Sequence, residues 1–244
     1  MNVFVIRVGC SGFYYPNWKN KFYPHGVPQK DWLSYYSSIF KTVELNGTFY
    51  KLPKPSDLKR YFQITPDDFT FSVKVSRYIT HVKRLTIKQS IDDFQNLVRE
   101  NLENKLQHFL FQFPSNFRYS AENLDRIVAS VPNNPQSVVE FRHSSWWNAR
   151  AKESLTQSNI TFANVDYPGL DTYVMNTSPA FYLRLHGNPV LFLSSYDTST
   201  LQKFQEQIPH DAGDVNVYFN NTMEDAGYKN AAQFVSMLKV HQTG

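Results

Sequence analysis

One pattern constrains this chain more than any other. Short apolar runs recur along its whole length, separated by segments long enough to be helices. The runs are Val5–Cys10, Thr42–Asn46, Thr70–Val75, His108–Phe113, Ser137–Phe141, Thr161–Val165, Phe181–His186 and Val215–Asn220. At this length they read as strands rather than helices. Several are too continuously apolar for a strand with one wet face, and fit strands covered on both sides, as in parallel sheets. Between them, Trp32–Phe40 and Ile91–Leu102 place apolar residues at helical spacing. Ser120 with Asn123 opens a helical segment that runs to Ser130, and Trp147–Gln157, Ser199–Gln207 and Asn230–Leu238 are further candidates. Pro53, Pro114, Pro132, Pro135 and Pro209 punctuate the gaps.

Strand–helix alternation of this kind predicts an α/β protein built from parallel β/α units. Eight units in 244 residues predict a single (β/α)8 barrel of the TIM type spanning 1–244, because that fold needs about 250 residues. The competing architecture is an open doubly wound sheet. No Gly-x-Gly-x-x-Gly follows the first run, and Gly9-Cys-Ser-Gly12 is too short for a phosphate loop and lacks its Lys-Ser/Thr.

Composition narrows the function classes. Apolar residues make up 41% of the chain and aromatic ones 16%, enough for a sizeable core. The formal charge of +4 is a mild basic bias that does not by itself call for nucleic acid. Cys10 is the sole cysteine, so neither an internal disulfide nor a cysteine-based metal cluster is available. The opening Met-Asn-Val-Phe-Val-Ile-Arg lacks the long apolar core of a signal peptide. No stretch approaches the roughly 18 apolar residues of a membrane span. A cytoplasmic protein with no membrane partner is expected.

Several strand-like runs end in polar residues spaced two apart: Glu44 and Asn46, Glu140 and Arg142, Arg184 and His186. Residues i and i+2 of a strand share a face, so each pair projects together. Sites of α/β sheets and barrels lie at the C-terminal ends of strands, and the runs supply such an end with Ser11, Glu44, Asn46, Lys74, Gln112, Glu140, Arg142, Arg184, His186 and Asn220. His81 follows on the loop after Lys74. Asp166 reads as the start of an Asp-Tyr-Pro turn. Core packing alone does not require so many buried polar groups.

The basic members set the expected ligand. Lys74, Arg142 and Arg184 with His81 and His186 outweigh Glu44 and Glu140, which favours a carboxylate or phosphate. A metal is disfavoured, because these cations would repel it and no His-x-x-x-His or Glu-x-x-His motif occurs, which leaves a mixed Glu/His/Asp site as the alternative. No cofactor is implied, and oligomeric state is not encoded in any recognisable pattern. Glu44 has no cation in its own strand and is expected to be catalytic; Glu140 could simply pair with Arg142. Gly187 after His186 is expected to let backbone approach a ligand. Aromatic residues crowd the loop after the first run: Phe13, Tyr14, Tyr15, Trp18, Phe22 and Tyr23. Most are expected to pack a rim or lid, while Tyr14 and Tyr50, beside the expected mouth, are candidates for substrate contact.

These motifs resemble the DUF72, or YecE-like, family. The resemblance rests on Gly9-Cys-Ser-Gly12, Tyr15-Pro-Asn-Trp18, Val43-Glu-Leu-Asn-Gly-Thr-Phe-Tyr50, Ile79-Thr-His81, Glu140-Phe-Arg-His-Ser-Ser-Trp146, Tyr182-Leu-Arg-Leu-His-Gly187 and Tyr218-Phe-Asn-Asn221. It covers essentially the full chain and implies a TIM-type barrel. Phe13 stands where the family more usually has tryptophan, and Gly47 where serine is common. The family name records an unknown function, so the expected activity comes from the residues. The expectation is an enzyme, a hydrolase, isomerase or lyase, acting on a small anionic substrate that carries a phosphate or carboxylate. Glu44, Glu140 and His186 would be catalytic. Tyr14, Asn46, Tyr50, Lys74, His81, Arg142, Arg184 and Asn220 would bind. The alternatives are a non-catalytic binding protein for nucleic acid or a phosphorylated metabolite, and a scaffold retaining a residual polar network.

Overall fold

The strands are β1 (Val5–Cys10), β2 (Thr42–Leu45), β3 (Thr70–Lys74), β4 (Leu106–Gln112), β5 (Ser137–Glu140), β6 (Thr161–Asp166), β7 (Ala180–Leu185) and β8 (Asp214–Phe219). All eight expected runs are therefore strands, with ends shifted by one or two residues. In this computed structural model, which describes residues 5–242, they form one eight-stranded sheet in the order β1-β8-β7-β6-β5-β4-β3-β2. Every ladder is parallel. Residues 1–4, which open the stretch read as lacking a signal-peptide core, lie outside the described residues. No helix among the described residues is long and apolar enough to cross a membrane.

Helices follow most strands. They are α1 (Trp32–Ile39), α2 (Gly47–Tyr50), α3 (Pro55–Ile64), α4 (Lys88–Leu102), α5 (Ala121–Ser130), α6 (Ala149–Gln157), α7 (Thr198–Glu206) and α8 (Ala226–Gln242). Ser120 caps α5 by accepting from the Asn123 amide, as its position suggested. The helix α3 was not anticipated. Proline at its first position is preorganised for a helix start, but beside Pro53 it read as a loop. No helix separates β6 from β7. That connection is held instead by the Asn164 side chain, which accepts from the Met175 amide at 2.8 Å, and by Thr177, which accepts from the Phe162 amide at 2.8 Å.

The two ends of the sheet order, β1 and β2, meet through side chains. A Cβ on Gly9 would come 2.1 Å from the Thr42 carbonyl oxygen, so only glycine permits this approach. The Tyr36 hydroxyl, delivered by α1, bridges the seam. It accepts from the Cys10 amide at 2.7 Å and donates to the Thr42 carbonyl at 3.1 Å. Burial holds its phenol well above the ordinary range. Tyr36→Phe would leave a buried N–H and C=O without a partner. A loss of about 1–3 kcal/mol is expected, read as an earlier denaturant midpoint. An unchanged midpoint would show that the seam does not depend on this hydroxyl.

The main apolar core lies between sheet and helices. A second cluster, Leu110, Val138, Ala163, Tyr182 and Tyr218, comes from five neighbouring strands and fills the barrel's interior. Below it, the Tyr218 hydroxyl bonds Thr42 at 2.7 Å and Ser72 at 2.9 Å. Arg7 donates to Asp214 at 2.7 Å near the N-terminal end. The interior is thus plugged, and its polar upper layer faces the C-terminal mouth.

Candidate active site

The strand period of two puts Tyr182, Arg184 and His186 on one face of the β7 segment. Arg184 is fully buried at the centre of the mouth. Its guanidinium forks onto Glu44, Nε to Oε2 at 2.9 Å and Nη2 to Oε1 at 2.6 Å, while Nη1 donates to Glu140 Oε2 at 2.5 Å. Glu44 also accepts from Ser11 Oγ at 2.7 Å and from the Tyr182 hydroxyl at 2.6 Å. Both carboxylate oxygens therefore hold two donors each. Burial alone would weaken the Arg184 charge, but Glu140 and Glu44 outweigh it and hold the guanidinium firmly protonated. Glu44, expected to lack a cation because its own strand has none, receives one from across the barrel.

Glu140 is buried but less completely satisfied. Arg142 Nε forms an ion pair with Oε1 at 2.5 Å. Glu140 Oε1 and Arg142 Nη1 are both buried without a hydrogen-bond partner. Burial pushes the Glu140 carboxyl up, but Arg142, Arg184 and Lys74 together hold it below the usual range. The Arg142 guanidinium lies 4.1 Å from the Tyr167 ring centroid.

Lys74 ends β3. Thr48 Oγ1 donates to its carbonyl at 2.6 Å, and its Nζ sits 4.0 Å above the Phe49 ring supplied by α2. Among the described residues it forms no ion pair, whereas Arg142 and Arg184 both do. Burial, then the nearby Arg184 charge, pushes its ammonium down to about 7, against the pull of Glu140 and Glu44. A large share is free amine at neutral pH.

Both expected histidines reach this end. His186 Nδ1 lies 2.7 Å from Asn220 Nδ2, and its Nε2 lies 3.4 Å from Arg184 Nη1. Nε2 lies 3.8 Å from Glu140 Oε1. Burial, reinforced by three cations, keeps the ring neutral. His81 lies in a π-helical turn, Tyr78–Val82, edge-on to Phe49 at 5.0 Å. Burial and Lys74 push it down to about 4. Gly187 has a φ of +84°, and a Cβ there would meet the carbonyls of Val190 and Ser194 at 3.1 Å, so the loop's own packing also calls for glycine. Asp166 does more than start a turn. It accepts from Tyr196 at 2.6 Å and Asn188 at 3.1 Å, bracing the loop after β7.

Tyr14, Asn46 and Tyr50 line a separate groove of about 410 Å³ between the loops after β1 and β2. Tyr14 and Tyr50 are 55% and 82% exposed, and the Tyr14 hydroxyl donates to Gln29. Asn46 stands at the boundary, donating to the Ser11 carbonyl at 3.2 Å with its own Oδ1 unpartnered. The groove is also lined by Lys51, Lys54 and Asp57, whereas Glu44, Lys74, Glu140, Arg142, Arg184 and His186 gather in the mouth. Phe13, Trp18, Phe22 and Tyr23 are buried in an aromatic pack with α1. Tyr182 and Tyr167 are site residues that the sequence reading does not single out, although Tyr182 shares the Arg184 face at i−2. Among the described residues, no group of three or more His, Cys, Asp or Glu side chains could hold a metal ion.

Eight parallel strands with flanking helices and a polar C-terminal mouth define a TIM-type (β/α)8 barrel. The chain belongs to the DUF72 family: the model described as "Protein of unknown function DUF72" matches residues 7–244. It is 24% identical to UPF0759 protein YunF of Bacillus subtilis (strain 168) over 98% of this chain and 97% of that one. It is 26% identical to UPF0759 protein YecE of Escherichia coli (strain K12), over 76% of this chain and 64% of that one. The crystal structure of a DUF72 family protein from Thermotoga maritima superposes with a TM-score of 0.88. The two chains are 29% identical, covering 96% of this one and 99% of the other.

Proposed function

We propose that this protein is an enzyme that acts on a small anionic substrate, bearing a carboxylate or phosphate, at the barrel's C-terminal mouth. The observation that carries this reading is the unequal pairing of the mouth's cations. Among the described residues, Arg184 is saturated by two carboxylates, whereas Arg142 keeps an unpartnered buried Nη1 and Lys74 forms no ion pair. A guanidinium N–H left without an acceptor in a desolvated site favours an anion. The roles shift accordingly. Arg142 would anchor the anion, and Lys74, as free amine near neutral pH, would be the reactive group. Neutral His186 would hydrogen-bond the substrate, and Glu140, held ionised by Arg142 and Arg184, would orient the Arg142 guanidinium. Glu44 and Arg184 would position the others. Tyr14, Asn46 and Tyr50 would contact the part of the substrate that extends into the groove.

Thermal shift with inorganic phosphate, sulfate and pyruvate at low salt tests this reading. At least one anion should raise the melting temperature, and Arg142→Gln should weaken its binding roughly 10–100-fold, as for loss of a charge-assisted hydrogen bond. No stabilisation by any of them would sink the anion site. A second reading, nucleic-acid binding, is favoured by the loops after β2 to β5. They carry Lys51, Lys54, Arg77, Lys83, Arg84 and Arg118 beside Arg142, with no Asp or Glu. Binding of an oligonucleotide that falls steeply with salt, without turnover, would favour it.

A further inference from the structure

Two lysines of this barrel are withdrawn from bulk solvent in different ways. Lys105 is capped as a structural cation, donating to the Phe62 and Thr65 carbonyls at 2.7 Å each and to Thr65 Oγ1 at 3.3 Å. Lys74 has no such cap. Its Nζ rests on the Phe49 ring, at the end of a strand fixed on both sides by ladders to β2 and β4. An ammonium kept only for structure or charge would gain from a carboxylate, and Glu44 and Glu140 are instead committed to Arg184 and Arg142. Desolvation disfavours the charged form, against the pull of the Phe49 ring face, and frees the nitrogen lone pair.

We propose that Lys74 Nζ forms an imine with the carbonyl carbon of a substrate whose anionic group is held by Arg142. The substrate class is a carbonyl compound carrying a carboxylate or phosphate. This deepens, and rests on, the reading of the mouth as an anion-binding active site. Lys74 and Arg142 project from β3 and β5, two strands apart, which is roughly 10 Å between backbones. Two long side chains reaching inward bring their heads within the span of a small molecule. In the step, the Nζ lone pair makes the C–N bond as the carbonyl π bond breaks toward oxygen. Both amine protons then leave with that oxygen as water. No oxidant or reductant is needed. The imine, once protonated, withdraws electrons from the adjacent carbon, as isomerase and lyase chemistry requires.

The test is reductive trapping of the intact protein. Pyruvate supplies the carboxylate arm, dihydroxyacetone phosphate the phosphate arm, and acetone the uncharged control, each with cyanoborohydride. Intact mass and peptide mapping read the product. The expected result is one adduct, mapped to Lys74, with at least one anionic probe and far less with acetone. It should be absent in Lys74→Arg and reduced at least tenfold in Arg142→Gln. Mapping on the unaltered protein locates the site even if a variant fails to fold. Adducts absent from Lys74, or no more frequent there than on exposed lysines, overturn the imine. If the same probes still raise the melting temperature, the anion site survives without it. If they do not, both readings fall.

Discussion

Arg184→Met is expected to lower the stability of the fold by about 3–5 kcal/mol, the usual cost of removing one partner from a buried ion pair. The reason is geometric. Arg184 alone neutralises Glu44, and it shares Glu140 with Arg142. Without it two buried carboxylates remain at one level of the barrel, and burial then drives them toward protonation. The pH response should follow. Their folded pKa values would rise above the unfolded range of about 4, so the variant would gain stability as pH falls from 7 toward 4. The unaltered protein should do the opposite. Its Glu140 is held below the ordinary range, so that contribution is present above the unfolded value and lost as pH falls through it. Melts at pH 5 and pH 8 should show the gap between the two proteins narrowing in acid. Adding Glu44→Gln to Arg184→Met should recover part of the loss. A variant that melts like the unaltered protein at pH 7 would remove Arg184 from the centre of the network.

What could be read from the chain depended on the range of each interaction. The strands were legible because both of their faces are covered, which leaves continuous apolar runs such as Phe109–Phe111. The helix α3 was not, since Leu58 is its only buried residue and prolines surround its start. Polar residues sharing a face at i and i+2 revealed the mouth. Pairing across the barrel had no local signature: Glu44 and Arg184 are 140 residues apart. A strand without its own cation therefore looked like a free general base when its carboxylate was already filled. The converse held for Lys74. In sequence it is one strand-end lysine among many that could reach solvent. Only the placement of Phe49 beneath it, and of the carboxylates on other partners, distinguishes it.

Lys74→Met is expected to reduce turnover on the substrate class proposed here by at least about 10²–10⁴-fold, the reach of a positioned proton-transfer group, while making the protein more stable near neutrality. The two effects share one cause, a half-buried ammonium with no ion-pair partner among the described residues, pushed down to about 7 from an ordinary 10.5. Below pH 7 this lysine is charged in both folded and unfolded chains, and the folded state bears the full cost of its burial. Between 7 and 10.5 the folded protein releases the proton while the unfolded chain retains it. The unfolded state binds more protons there, so stability rises with pH. Methionine fills similar space and carries no charge. Its advantage should be largest below pH 7, about 1–3 kcal/mol, and should vanish as pH approaches 10.5. Denaturant melts at pH 6 and pH 10, with turnover measured on the same preparations, separate the possibilities. A stable variant without turnover is the signature of a group kept for chemistry at the expense of the fold. A variant that loses stability at both pH values would mean that Lys74 holds the barrel together, and the assignment of the reactive amine would be withdrawn.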